Sequence, residues 1–267
     1  IKDRVAAAKD YPALISNFTR FEHLPGAGAP QPARAYDNAE LRRRLIAAGM
    51  TMEDMELILA PMAEEGKEAI GSMGDDTPLG VISTNPRVFS HFFRQNFSQV
   101  TNPPIDSLRE TRVMSLKTRF SNFTNVLDDD ADQKGVMIAQ SPVFTNRDWH
   151  RLQAHFGIGE EDGSAAEIDC TFPVGGDEND LRDAIRRVRE EAEHAVRSGK
   201  SQLFLTDEHV GPDRMAITMI LAAAGVHTHL VRKGLRSYAS INVRSAECLD
   251  THYFAVLIGV GTTTVNA

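Results

Sequence analysis

The sequence predicts an α/β fold: a parallel sheet built from β-α units in the second half, preceded by a helical N-terminal part. Two observations predict it. From residue 167 onward, short apolar runs alternate with long amphipathic ones (EIDCTFP, LRDAIRRVREEAEHAVRSG, QLFLTD, a long helical stretch, YASINVR, an apolar helix, TTTVN). That rhythm is the pattern of right-handed βαβ crossovers. Residues 37–66, in contrast, place their apolar side chains at helical spacing with no strand-like alternation. At 267 residues and 42% hydrophobic composition, the chain is long enough to bury a sizeable core.

Residues 1–11 read as a short helix that stops before Pro12. In ALISNFTRFEHL, Leu14, Ile15, Phe18, Phe21 and Leu24 recur at helix-like spacing and need a surface to pack against. Residues 24–35, rich in Pro, Gly and Ala, read as a linker or a segment laid over a partner. Residues 1–36 are therefore a connecting segment, and the main unit runs from 37 to 267 with a helical subregion at 37–66. There, Asp37 or Asn38 caps a first helix carrying Leu41, Leu45 and Ile46 and ending at Gly49. Thr51 caps a second, with Asp54 in the capping-box position. Met52, Met55, Leu59 and Met62 line one face of it. Such a stripe reads as core packing ahead of a cofactor or partner groove.

LGVIS (79–83) reads as a buried strand and residues 86–98 as a helix with Pro86 in its first turn. Asp106 is a good cap for the next helix, and residues 125–135 form an acidic loop whose Gly and Glu are misplaced for an EF-hand. EIDCTFP (167–173) is a strand. In residues 181–199, Leu181, Ala184, Ile185, Val188, Ala192, Ala195 and Val196 share a face and Gly199 closes the helix. A buried strand at 202–207, a long helix from about 212 to 233, a strand at 238–244, a helix at about 250–259 and a last short strand complete the reading.

A net charge of −8 gives no basic footprint for nucleic acid or for an anionic membrane surface. The longest apolar run, Ile217 to Val226, is too short to span a bilayer. Two separated cysteines, Cys170 and Cys248, fit a reduced, cytoplasmic protein. Residue 1 is Ile, and the chain reads as a piece of something longer.

Motifs for chemistry are sparse. IGSMGDDTPLG (70–80) is glycine-rich but precedes its strand and lacks a Walker lysine, while Asp75 and Asp76 would repel a phosphate. His227 and His229, two apart on a helix, point in nearly opposite directions and cannot share a metal; both read as structural. Asp207, Glu208 and His209 follow a strand, at the end where parallel sheets place their sites, and form the best acid/base candidate. Capping of the following helix by Asp207 or Asp213 explains the acids more simply. An autonomous enzyme with a phosphate- or flavin-binding site near Asp207 and His209 is therefore the alternative reading. Nucleophile elbows, HExxH and cluster-type cysteine runs are absent from the sequence.

At LILAPMAEEGKEAIGSMGDDTP, QVTNPPIDSLRE and MSLKTRF the chain resembles the central domain of the large subunit of glutamate synthases. SPVFTN, LFLTDEHV, AAAGVHTHLVRKGLR and CLDTHYFAVLIGVGTTTVNA continue the resemblance in order, from about residue 40 to the C-terminus. The first 35 residues and the acidic loop match more loosely. HTHL departs from the three consecutive histidines more usual in the family.

The resemblance implies a rudimentary, incomplete TIM-type barrel without a cofactor of its own, inert in isolation. It implies a parent enzyme making two L-glutamates from L-glutamine and 2-oxoglutarate. An N-terminal glutaminase (amidotransferase) domain would release ammonia, and a later FMN-binding domain with a 3Fe-4S cluster would reduce the iminoglutarate. NADPH is the expected donor, with a small reductase subunit as a possible further partner. The central domain would connect the two and help to wall an ammonia tunnel, with Met73, Thr101 and Asn102 along it. Neutral ammonia needs a dry conduit free of carboxylates that would trap ammonium. A methionine that shifts rotamer cheaply suits such a wall, as does a small hydroxyl held by Pro103 and Pro104.

Overall fold

A computed structural model describes residues 1–16, 18–26, 36–66, 87–94, 107–125, 127 and 136–267. The strand expected at 79–83, the glycine-rich segment 70–80, most of the acidic loop, and Met73, Thr101 and Asn102 lie outside the described residues.

The helix expected over 1–11 is shorter, α1 (Lys2–Ala6), closed by Ala7, and a separate helix, α2 (Tyr11–Ser16), begins where it was expected to stop. Pro12 sits in the first turn of α2, where a missing N–H costs nothing. Strand β1 (Thr19–Arg20) and a 3₁₀ turn (Phe21–His23) follow, and they bury Phe21 and Leu24. Helix α3 (Asn38–Ala47) starts on Asp37, whose carboxylate accepts from the Glu40 amide at 2.8 Å. Helix α4 (Met52–Asp54) starts on the Thr51–Asp54 capping box and runs through a π-helical turn (Met55–Leu59) into α5 (Ala60–Glu65).

The methionine stripe is not core. Met52 is 71% exposed, and no residue from Met52 to Glu65 is buried. The π turn is the local reason: its wider i→i+5 bonding breaks the 3.6-residue period that would align Met52 and Met55 with Leu59 and Met62. The helix expected over 86–98 is, among its described residues, a 3₁₀ turn at Phe89–Phe92 with Phe93 extended. Breaking the helix there turns Phe93 onto the apolar core of the large sheet and sets its ring edge-on to Phe89 at 5.4 Å. Helix α6 (Ser107–Val113) follows the expected start closely. Strands β2 (Thr118–Phe120) and β3 (Met137–Ala139) complete a small sheet ordered β1-β3-β2, with β1 parallel and β2 antiparallel to β3.

The α/β body comprises β4 (Val143–Phe144), α7 (Asn146–His155), β5 (Ala165–Asp169), β6 (Thr171–Pro173) and α8 (Glu178–Arg197). Strands β7 (Gln202–Thr206) and β8 (Arg214–Ala216) and helix α9 (Met219–Arg232) come next. Strand β9 (Ser240–Arg244), helix α10 (Thr251–Gly259) and strand β10 (Thr264–Asn266) end it. Five strands form one all-parallel sheet ordered β4-β10-β9-β7-β5. The first strand thus sits beside the last, as in a barrel, but among the described residues β4 and β5 do not pair and no closed barrel forms.

Two expectations are corrected here. Residues 167–173 are not one strand: the chain leaves the large sheet at Cys170, and β6 pairs antiparallel with β8. The helix expected from about 212 begins only at Met219, because residues 214–216 are drawn into that pairing. Arg214 secures it, donating to Asp169 Oδ2 at 2.8 Å and to Thr171 Oγ1 at 2.7 Å.

Alternate strand residues build two cores. Leu203, Leu205, Ile241, Val243 and Val265 face α8, α9 and α10. Phe204 and Ala165 face the other way, toward Trp149 and Leu152 of α7 and toward Phe21, Phe120 and Met137. Trp149 meets Phe204 edge-on at 5.0 Å. That second face also buries polar side chains: Thr264 Oγ1 donates to Asn242 Oδ1 at 2.6 Å, and Asn242 Nδ2 donates to Gln202 Oε1 at 2.9 Å. Among the described residues no helix is long and apolar enough to cross a membrane.

Candidate functional site

Parallel strands release their loops at a common end, and in open α/β sheets that end collects the site. Here the carboxyl ends of β4, β7, β9 and β10 deliver Asn146, Asp207, Arg244 and Ala267 to one cavity of about 270 Å³. Its opposite wall comes from α3 and its C-cap, where Leu41, Leu45 and Ala48 lie beside Arg44.

Asp207 is 7% exposed. Its Oδ2 accepts from the Ser245 hydroxyl at 2.6 Å and from the Ala246 amide at 3.1 Å. Burial pushes its carboxyl up to about 6; the Ser245 hydrogen bond opposes the rise, and the nearby Glu247 charge adds to it. Burial also raises Glu247, whose Oε2 accepts from the Tyr253 hydroxyl and from the Met219 amide at 3.0 Å. Glu247, not Asp207 or Asp213, therefore occupies the start of α9. Glu208 is matched by Arg244 at 3.2 Å.

The sequence candidates Asp207, Glu208 and His209 do not converge. Asp207 and Glu208 line the cavity, whereas the His209 side chain is 55% exposed and its Nε2 lies 3.9 Å from Glu167. Cavity carboxylates at Asp207, Glu208 and Glu247 also make it a poor phosphate seat. Sequence reading missed Ser245 and Glu247. Their one signal is position, directly after a buried strand, and it becomes legible only when β9 is known to neighbour β7.

The family model for the glutamate synthase central domain matches residues 43–267. The chain belongs to the glutamate synthase central domain family. It is 56% identical, over its whole length, to the NADPH glutamate synthase large chain of Azospirillum brasilense, of which it covers 17%. It is 38% identical to the ferredoxin-dependent chloroplastic enzyme of Spinacia oleracea over 99% of the chain and 16% of that protein. To the NADH glutamate synthase of Saccharomyces cerevisiae it is 34% identical over 98% of the chain and 12% of that protein. The chain thus spans about a sixth or less of the length of these relatives.

The other end of the sheet in this central domain is a structural clamp. Arg236 donates to His227 Nδ1 at 3.0 Å, to the Gly261 carbonyl at 2.7 Å and to the Ala239 carbonyl. His229 instead meets Glu193 at 2.6 Å. The two histidines are used separately, as their spacing predicts. Cys170 and Cys248 are buried free thiols whose pKa burial raises, so neither offers a ready thiolate.

Proposed function

We propose that this chain is the connecting domain of a glutamate synthase. Residues 1–36 lead into it and residues 37–267 form it, with a glutaminase-type domain before and an FMN-binding synthase domain after it. The parent reaction makes two L-glutamates from L-glutamine and 2-oxoglutarate with a reductant. The observation that carries the reading is a match to relatives along nearly the whole chain, while the chain fills only 17% of the bacterial large chain. The rest of such a polypeptide has room for the catalytic domains.

The same reading puts FMN and the 3Fe-4S cluster elsewhere, since two cysteines in all, both buried, cannot hold a cluster. NADPH is the favoured donor, from likeness to the bacterial enzyme, and a small reductase subunit is a further proposed partner. Alone, the chain is expected to be inactive, and its proposed setting is the cytoplasm.

Met73, Thr101 and Asn102 are proposed to wall the path of ammonia between the flanking domains. Physical chemistry favours those residue types: neutral, compact, and backed by Pro103 and Pro104. The acid-lined cavity at Asp207 is the wrong chemistry for such a path, because buried carboxylates would hold ammonium. The test is Thr101→Trp in the intact enzyme. Glutamine hydrolysis should continue while glutamate formation falls at least tenfold; unchanged coupling of the two sinks the tunnel role.

A further inference from the structure

The cavity between α3 and the sheet is not used by the proposed tunnel, yet its charges are unevenly matched. Two arginines line it. Arg44 is paired with Glu40 at 2.7 Å and stacks over Tyr36, 4.7 Å from the ring centre. Arg244 is paired with Glu208. The remaining lining acids, Asp207 and Glu247, have hydroxyl and amide partners instead.

Those partners are distributed asymmetrically. Among the described residues, both short hydrogen bonds at Asp207 fall on Oδ2, while Oδ1 has a 3.4 Å contact with the Ala246 amide. Among the described residues, the hydrogen bonds to the Glu247 carboxylate both fall on Oε2. Each carboxylate thus keeps an oxygen with acceptor capacity to spare. Buried acceptors without donors are costly, and a donor-rich ligand would relieve that cost. The facing wall of Leu41, Leu45 and Val210 provides an apolar surface for a carbon skeleton.

We propose that this cavity binds a small organic ammonium ion, its N–H groups donating to Asp207 and Glu247 and its alkyl part lying against Leu41 and Leu45. A cationic donor suits two acids that have no cationic partner among the described residues, and charge-assisted hydrogen bonds are the strong kind. An inorganic divalent cation fits less well, since the described residues hold no group of three His, Cys, Asp or Glu able to bind a metal. The volume, about 270 Å³, lies below the usual range of drug-sized pockets and fits an amine of a few carbons.

The probe is n-propylammonium chloride, titrated calorimetrically into the intact polypeptide that carries this domain. Ammonium chloride, n-propanol and sodium chloride are run alongside. Saturable binding of n-propylammonium is expected, with n-propanol silent and ammonium at least tenfold weaker. Glu247→Gln keeps the shape and removes the charge; Leu45→Trp, on the half-buried face of α3, fills the space. Each should weaken binding at least tenfold. No saturable heat overturns the proposal, and so does n-propanol or ammonium binding as well as the amine. Binding that survives Leu45→Trp unchanged overturns it too, and that variant decides the matter if Glu247→Gln fails to fold. None of these outcomes bears on the tunnel, which the Thr101→Trp coupling test addresses separately.

Discussion

Arg236 donates through Nε to Nδ1 of His227 across 3.0 Å, which fixes His227 as the neutral tautomer with its proton on Nε2. A proton on Nδ1 would break that bond and face a guanidinium.

A pH dependence follows. Burial, and then the Arg236 charge, hold the His227 pKa below its ordinary 6.5. The unfolded chain therefore takes up this proton at a higher pH than the folded one. The stability from this site is full above pH 6.5 and is lost as pH falls through the window below it. Urea unfolding at pH 7.5 and 5.5 should show a smaller acid-induced loss in His227→Gln than in the wild type. Equal losses would rule out the histidine as the source.

Gly261 adopts φ +111°, and a Cβ built there would lie 2.1 Å from His227 Nδ1. Gly261→Ala should cost about 3 kcal/mol or more, combining a strained backbone with displacement of the clamp. Gly199, at φ +93°, has nothing within 4 Å of a Cβ. Gly199→Ala should cost only the backbone strain, about 1–2 kcal/mol. Thermal or chemical melts of the two variants give the difference directly.

Asp207 has the opposite linkage. Its folded pKa, about 6, stands above the ordinary 3.8, so its contribution to stability is fullest below the lower value and is lost as pH rises through the higher. The difference between the two values corresponds to about 3 kcal/mol. Asp207→Asn can still accept from Ser245 and Ala246 while avoiding a buried charge. It should stabilise the fold at pH 8 by about 1–3 kcal/mol and flatten the profile between pH 4 and 6. A destabilised variant at pH 8 would show that the anion is needed.

Arg151 spends its whole guanidinium on one segment and one acid. It donates to the carbonyls of Pro25 at 2.9 Å and Leu24 at 2.6 Å, pairs with Asp148 at 3.0 Å and lies over the Phe21 ring at 4.7 Å. Lysine cannot reproduce that fork. Arg151→Lys should leave the large sheet intact but speed hydrogen exchange of the amides of Phe21–Leu24 at least tenfold, with β7 and β9 unchanged.

Much of the α/β body was legible in the sequence because its signals are local. Helix α8 advertises both an apolar stripe and its closing glycine; β7 and β9 are short apolar runs between turn residues. Helix α7 was also legible in principle, since Thr145 and Asp148 form the cap that starts it, with the Asp148 amide donating to Thr145 at 3.3 Å. What stayed hidden depends on distant partners. Residues 214–216 become a strand only because 171–173 is there to receive them. Asp207 could be singled out from its place after a strand. That Ser245 and Glu247 would join it, and that His209 would turn away, needed the order of the strands.

That order also dictates a timetable. Strand β10 lies between β9 and β4, and Val265 pairs with Val143, 122 residues earlier in the chain. On the ribosome β4 must wait for residues 264–266 before it meets its neighbour. At about 5–20 residues per second that delay is roughly 6–25 s. Until then the sheet grows from β5 through β7 to β9 with its far side unfinished. Of all the elements described, the three residues Thr264–Asn266 decide when β4 joins the sheet.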